Sequence, residues 1–177
     1  MRKIFAIVCT LLLAISIAGC GSEGDKVSYG SLEFVPPPNW VDQTTESQGH
    51  YYDDSQGYFT ANLMIHEVNE ENFLYADEGM EEYRGYMNYL QNDEPTYRGD
   101  LEESPARVDG HDGVAITYSL DYSKSKHENE QGWGIAYFTE IIVPFDETVY
   151  YFILEEANRG AKKEVFDEFM KSVEIDR

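Results

Sequence analysis

The stretch YFTANLMIHEVNEENFLYADEGMEEYRGYMNYL, residues 58–90, changes its hydrophobic period midway. From Tyr58 to Val68, Phe59, Ala61, Leu63 and Ile65 alternate with Thr60, Asn62, Met64 and His66, the two-residue repeat of a strand with one apolar face. Beyond it Phe73, Ala76, Met80, Tyr83, Met87 and Leu90 recur at steps of three and four, which places them along one stripe of a helix with Glu and Asp between them. Gly79 and Gly85 each cost such a helix roughly 1 kcal/mol relative to alanine, so packing of the stripe has to sustain it. Pro95 marks its end.

Outward from this stretch the chain is mostly strands. Upstream, HYYDDSQGYF (50–59) is two short extended runs around Asp53, Asp54, Ser55, Gln56 and Gly57, a set of turn formers that predicts a hairpin. Leu32 and Phe34 alternate as a short strand, and Pro36, Pro37 and Pro38 stop it because each lacks an N–H; Trp40 and Val41 are expected to turn back onto the core. Downstream, Tyr97 to Val108 and Val114 to Tyr122 read as strands joined through VDGHDGV, with Val114, Ile116, Tyr118, Leu120 and Tyr122 on one face. SKSKHENEQG (123–132) is a polar loop, and Trp133 to Phe145 and Thr148 to Glu156 form another pair separated by PFDE. AKKEVFDEFMKSVEI (161–175) sets Val165, Phe166, Phe169, Met170 and Val173 on one side of a closing helix. No repeat emerges, and the expected fold class is α+β, a mainly antiparallel β-sheet covered by helices.

At the N-terminus, Arg2 and Lys3 precede an uncharged apolar run from Ile4 to Ile17, too short for the roughly 20 residues of a membrane span and suited to a secretion signal. The tetrad Ile17-Ala18-Gly19-Cys20 that follows resembles the bacterial lipobox. The resemblance implies that Cys20 is acylated and becomes the first mature residue. Residues 1–19 are then a lipoprotein signal peptide, 20–28 a lipidated N-terminus and short tether, and 29–177 one domain on the extracytoplasmic face of a cell membrane, with membrane lipid as a partner through Cys20. Cys9, the other cysteine, leaves with the signal, so cysteine nucleophiles, Cys-ligated zinc and disulfides are excluded.

The 177-residue chain carries a net charge of −21, and loss of Arg2 and Lys3 takes the mature form to about −23. No polybasic stretch remains, which argues against nucleic acid as a partner.

Tyr29 and Phe34 followed by Pro38-Asn39-Trp40, the Asp109-Gly110 turn, the penultimate Tyr150-Tyr151-Phe152 strand and a final helix with Phe169 and Ser172 resemble the PsbP-like proteins. These include the extrinsic lumenal subunit of photosystem II and bacterial lipoproteins. The resemblance implies an α/β/α sandwich that serves as a non-catalytic binding or assembly module for a protein partner or small ligand. It supplies no catalytic set to carry over.

Motifs for catalysis are incomplete. Ser123 and Lys126 have the Ser-x-x-Lys spacing of a serine hydrolase but lie in a polar loop without companion motifs. His66-Glu67-Val68-Asn69-Glu70 has Glu70 where a zinc protease needs its second histidine, and Gly132-Trp133-Gly134 lacks the third glycine of a dinucleotide loop, which would stand at Tyr137. Asp53, Asp54, Asp121, His127, Glu128 and Glu130 offer oxygen and imidazole ligands, so a divalent cation is the one cofactor the acidic loops suit, although no calcium-hand spacing is present. The sequence holds 14 tyrosines. Most fit strand packing, while Tyr51, Tyr52, Tyr58 and Tyr97 are the candidates for a partner-binding surface.

Overall fold

Strong β formers in consecutive runs, joined by tight turns, build a seven-stranded sheet whose strands lie side by side in the order Val41–Asp42, His50–Asp53, Ala61–Val68, Thr148–Glu156, Ile135–Phe145, His111–Asp121 and Glu102–Val108. The computed structural model describes residues 25–44, 49–54, 60–68, 76–127, 130 and 132–175. The strands are β3 (Val41–Asp42), β4 (His50–Asp53), β5 (Ala61–Val68), β6 (Glu102–Val108), β7 (His111–Asp121), β8 (Ile135–Phe145) and β9 (Thr148–Glu156), antiparallel throughout. A three-stranded sheet joins β1 (Val27–Tyr29), β2 (Leu32–Phe34) and β10 (Glu174–Ile175). Among the described residues there are two α-helices, α1 (Ala76–Asn92) and α2 (Lys163–Ser172), and a single 3-10 turn at Tyr122–Lys124.

The turn chemistry explains the register. Asp109 and Gly110 both take positive φ, 45° and 85°, the twist a two-residue hairpin needs between right-twisted strands. The second Asp-Gly pair of VDGHDGV is not a turn: Gly113 lies in β7, where a β-carbon would collide with the Ile142 carbonyl of β8.

The large sheet has a core on each face. On one, Leu63, Ile65, Phe152, Leu154 and Val143 pack with Leu32 and Phe34 of the small sheet and with Phe166 and Phe169 of α2. Phe169 stands at the centre of an aromatic cluster, 5.7 Å from Phe34 and 6.2 Å from both Phe152 and Phe166 between ring centroids. Ser172, at the end of α2, accepts a 3.0 Å hydrogen bond from the Val35 N–H and so ties the helix to β2. On the other face, Tyr83, Met87 and Leu90 of α1 cover Ile116, Tyr118, Leu120, Ile142 and Val149.

The fold is therefore α+β and mostly antiparallel sheet, but the expectation that helices cover the sheet is too strong. One helix lies on each face, and a second sheet supplies part of the cover. Four local readings also shift. The first strand begins at Val27, before Tyr29. Tyr97 makes only an isolated bridge to Leu120, so β6 starts at Glu102. Val41 is exposed on the edge strand while Trp40 packs against the core. The final helix stops at Ser172, and Glu174–Ile175 returns as a strand because Ile175 buries its side chain beside Leu32. Among the described residues no helix is long and apolar enough to cross a membrane.

Candidate functional site

The strand pairing carries one row of side chains across the α1 face: Tyr51 of β4, Met64 of β5, Ile153 of β9, Glu140 of β8 and Ile116 of β7. A carboxyl group thus stands inside the row, and the register ends on a second one, the exposed Glu103 of β6, which accepts from the Tyr83 hydroxyl at 3.4 Å. The period-two pattern of IAYFTEIIVPF requires the first, since Ala136, Phe138, Glu140 and Ile142 occupy one face. Helix α1 crosses β9 and β8 and packs on side chains of β7, leaving Met64 and Ile153 partly exposed. The result is an open groove of about 490 Å³ between helix and sheet, with Tyr83 and Tyr86 on the helix side and Tyr118, Phe138, Tyr151 and Glu140 on the sheet side. This volume is within the range of small-molecule sites.

Glu140 is the floor of that groove, 5% exposed. It accepts a 2.7 Å hydrogen bond from the Tyr118 hydroxyl, which lies 3.5 Å from the Tyr86 hydroxyl. Phe138 stacks on Tyr118 with centroids 4.8 Å apart and planes 6° from parallel, holding the phenol in place. Burial raises the Glu140 carboxyl to about 7, with the Tyr118 hydrogen bond opposing. The same desolvation pushes the Tyr118 and Tyr83 phenols up and the His66 imidazole down, which keeps all three neutral near pH 7. Glu155 lies on this face too, directly opposite Phe138; it is also raised by burial and accepts from Asn62 at 3.4 Å. Among the described residues neither Glu140 nor Glu155 forms an ion pair with Lys or Arg.

A second hollow of about 320 Å³ continues past Tyr86, between the end of α1 and the loop after β7, with Tyr89, Tyr122, Lys126 and His127 in its walls. Tyr86, Tyr89 and Trp133 are three of the large hydrophobic side chains left exposed, and Trp133 meets Tyr122 edge to face at 5.4 Å. The aromatic lining therefore runs on beyond the groove.

The residues singled out from the sequence are dispersed. Asp53 is half-buried in β4, while Asp54 is buried, held by the Thr60 hydroxyl and by Lys162 Nζ at 2.8 Å. Asp121 ends β7, where it accepts from the Ser123 hydroxyl at 2.5 Å and pairs with Lys124 at 3.5 Å. His127 is exposed, and Glu130 accepts from the Ser125 hydroxyl at 2.5 Å. Strands β4 and β7 are four places apart in the sheet, roughly 19 Å at the usual strand spacing, so the two acidic groups do not meet. Among the described residues no three His, Cys, Asp or Glu side chains converge as metal ligands would. Ser123 is bound to Asp121 and makes no hydrogen bond to Lys126 among the described residues.

Of the tyrosine candidates, Tyr51 is half-buried on the groove face opposite Met64, and Tyr97 is half-buried, its hydroxyl accepting from the Leu101 N–H at 3.1 Å. Tyr52 is 2% exposed in the opposite core, because adjacent strand positions point to opposite faces, so no partner reaches it. Cys20, Tyr58 and Glu128 lie outside the described residues.

Sequence reading passed over Glu140, Tyr83, Tyr86 and His66 as groove residues. Glu140 carried a usable signal, an acid in phase with Phe138 and Ile142. The others became visible only when the sheet order placed β5 beside β9 under α1.

No protein-family model matches this chain, and no curated protein matches it in sequence. Its fold has solved counterparts. A protein from Bacteroides thetaiotaomicron is 12% identical with a TM-score of 0.57 over 87% of this chain; the match spans 49% of that protein, about half its length. The cyanobacterial PsbP protein CyanoP of Synechocystis is 14% identical with a TM-score of 0.53, covering 90% of this chain and 98% of its own. The Ran-binding protein Mog1p of Saccharomyces cerevisiae is 11% identical with a TM-score of 0.52, over 86% and 95%. At these identities the likeness is one of fold: the chain has the architecture shared by PsbP and Mog1p.

Proposed function

We propose that this protein is a lipid-anchored, extracytoplasmic, non-catalytic binding module that holds a small ligand in the groove between α1 and the large sheet. The observation that carries the reading is the groove itself, about 490 Å³, open to solvent, walled by Tyr83, Tyr86, Tyr118 and Tyr151 and floored by Glu140. Concave aromatic surface with few convergent polar groups is the usual form of a ligand site. Among the described residues no serine or threonine hydroxyl is hydrogen-bonded to the acid; Tyr118, its described hydrogen-bond partner, is a phenol whose own proton is held more tightly than usual. A fold that serves a Ran-binding protein is consistent with binding as the role. The anchor rests on Cys20 and the signal pattern before it.

The test places a photo-crosslinking amino acid at position 86, in the native chain and in a Cys20→Ala background, and irradiates intact cells. A discrete adduct at position 86, with loss of membrane retention in Cys20→Ala, is expected. Absence of any adduct at 86 defeats the groove, a protein-sized adduct replaces the small ligand with a protein partner, and a Cys20→Ala chain still on the membrane defeats the anchor.

A further inference from the structure

Glu140 narrows the chemistry of what the groove takes. Its carboxyl is buried between Ile153 and Ile116 in the cross-strand row, and Tyr118 is its described hydrogen-bond partner. A carboxylate in such a place is costly unless it takes up a proton or a positive charge comes to it, and the chain brings no such charge among its described residues. Structural acids elsewhere are treated differently. Asp54 has Lys162 at 2.8 Å, and Glu156 accepts the backbone N–H of Gly160 and of Lys162.

The surroundings agree in sign. Glu155 is the diagonal neighbour of Glu140 across β8 and β9, roughly 7–8 Å away at the backbone, so a second acid borders the site. The tyrosine rings offer π faces, which attract cations when water is excluded. The net charge of −21 draws cations toward the molecule and repels anions. An inorganic divalent ion is poorly served, because calcium takes about six to eight oxygens, whereas the groove is lined mostly by aromatic and aliphatic side chains, and among the described residues no three His, Cys, Asp or Glu side chains converge there. A cation with an organic shell is matched on both counts, charge to the floor and hydrocarbon to the walls.

We propose that the groove binds a small organic cation, an alkylammonium or quaternary ammonium compound, with the Glu140 carboxylate, held by the Tyr118 hydroxyl, as its counter-charge and Tyr86 and Tyr151 as its aromatic walls. This rests on the groove being the ligand site, and the experiment separates the two ideas. The full-length chain in a non-ionic detergent is titrated calorimetrically with choline and with butylamine, and in parallel with uncharged counterparts, dimethylbutanol and butanol. The cations are expected to bind at least about tenfold more tightly than their neutral counterparts, the difference a desolvated cation–π site supplies. Glu140→Gln, which keeps an acceptor for Tyr118, is expected to abolish the preference. Equal binding of charged and neutral probes overturns the cation inference and leaves the groove standing. Binding of none of them overturns it as well, and the position 86 crosslink then judges the groove alone. A cation preference that survives Glu140→Gln places the charge elsewhere and overturns the assignment to Glu140; the comparison within the native chain needs no variant to fold.

Discussion

On one face of the large sheet Phe34, Phe152, Phe166 and Phe169 interlock beneath α2 and the small sheet. On the other, α1 lays Tyr83, Met87 and Leu90 over Ile116 and Ile142 and leaves Met64 and Ile153 half-covered. The two faces also treat charge differently. Beside α2, Asp54 and Glu156 are closed off by Lys162 and by backbone N–H groups, so their charge is answered within the chain. Under α1, Glu140 has a phenol and no described cation. The sealed face holds the fold together; the open face stays short of complete packing and keeps an acid that something from outside can answer.

The largest expected effect is the contrast in packing. Phe152→Ala on the sealed face is expected to cost about 3–5 kcal/mol, from lost transfer energy and the cavity left in a fully buried cluster. Tyr86→Ala at the 42% exposed groove lip is expected to stay within about 0.5 kcal/mol while weakening ligand binding. Urea unfolding of both variants measures this, and equal losses would break the distinction between the faces.

The next effect comes from Glu140. Folding raises its carboxyl from an ordinary 4.5 to about 7, so the folded chain holds this proton more tightly than the unfolded chain. The corresponding stability is fully present below pH ~4.5 and is lost as pH rises through about 7, a total on the order of 3 kcal/mol. Glu140→Gln cannot ionise, so it is expected to match the native chain near pH 4 and exceed it by that order at pH 8. Melting curves across this range check it; a variant less stable than the native chain at pH 8 would show that the carboxylate is already satisfied internally.

The smallest effect concerns the loose cover. Gly85 lies in α1, exposed, with open space where a β-carbon would stand. Gly85→Ala is expected to add about 0.5–1 kcal/mol by removing the entropy cost of glycine in a helix. Protection of α1 amides from hydrogen exchange should rise more than that of β8 or β9. Uniform protection would mean that α1 opens only when the whole domain does.

Much of this fold is legible in the residues themselves. Period two in Ala61–Val68 and the stripe Tyr83, Met87, Leu90 identify β5 and α1, and Asp109-Gly110 marks its hairpin, because each depends on side chains a few positions apart. The small sheet is legible only in part: Leu32 and Phe34 alternate as β2, but Glu174–Ile175 is too short to carry a pattern and becomes a strand only because β2 is there to pair with it. Nor is the dispersal of Asp53 and Asp121, two acids alike in sequence and separated by the order of strands.

Sequence alone determined the alternation of strands and helices, the acidity of the chain and the uncharged apolar run that leads to Cys20, all properties of neighbouring residues. It also determined that Glu140 shares a face with Phe138 and Ile142. Tertiary structure alone decided that this face lies under α1, that β9 brings Ile153 between Glu140 and Met64 and Tyr151 between Ile142 and His66, and that no lysine or arginine among the described residues pairs with the acid. The reason is range: periodicity is set within a turn or two of chain, whereas burial of a charge depends on which distant strands and helix close over it.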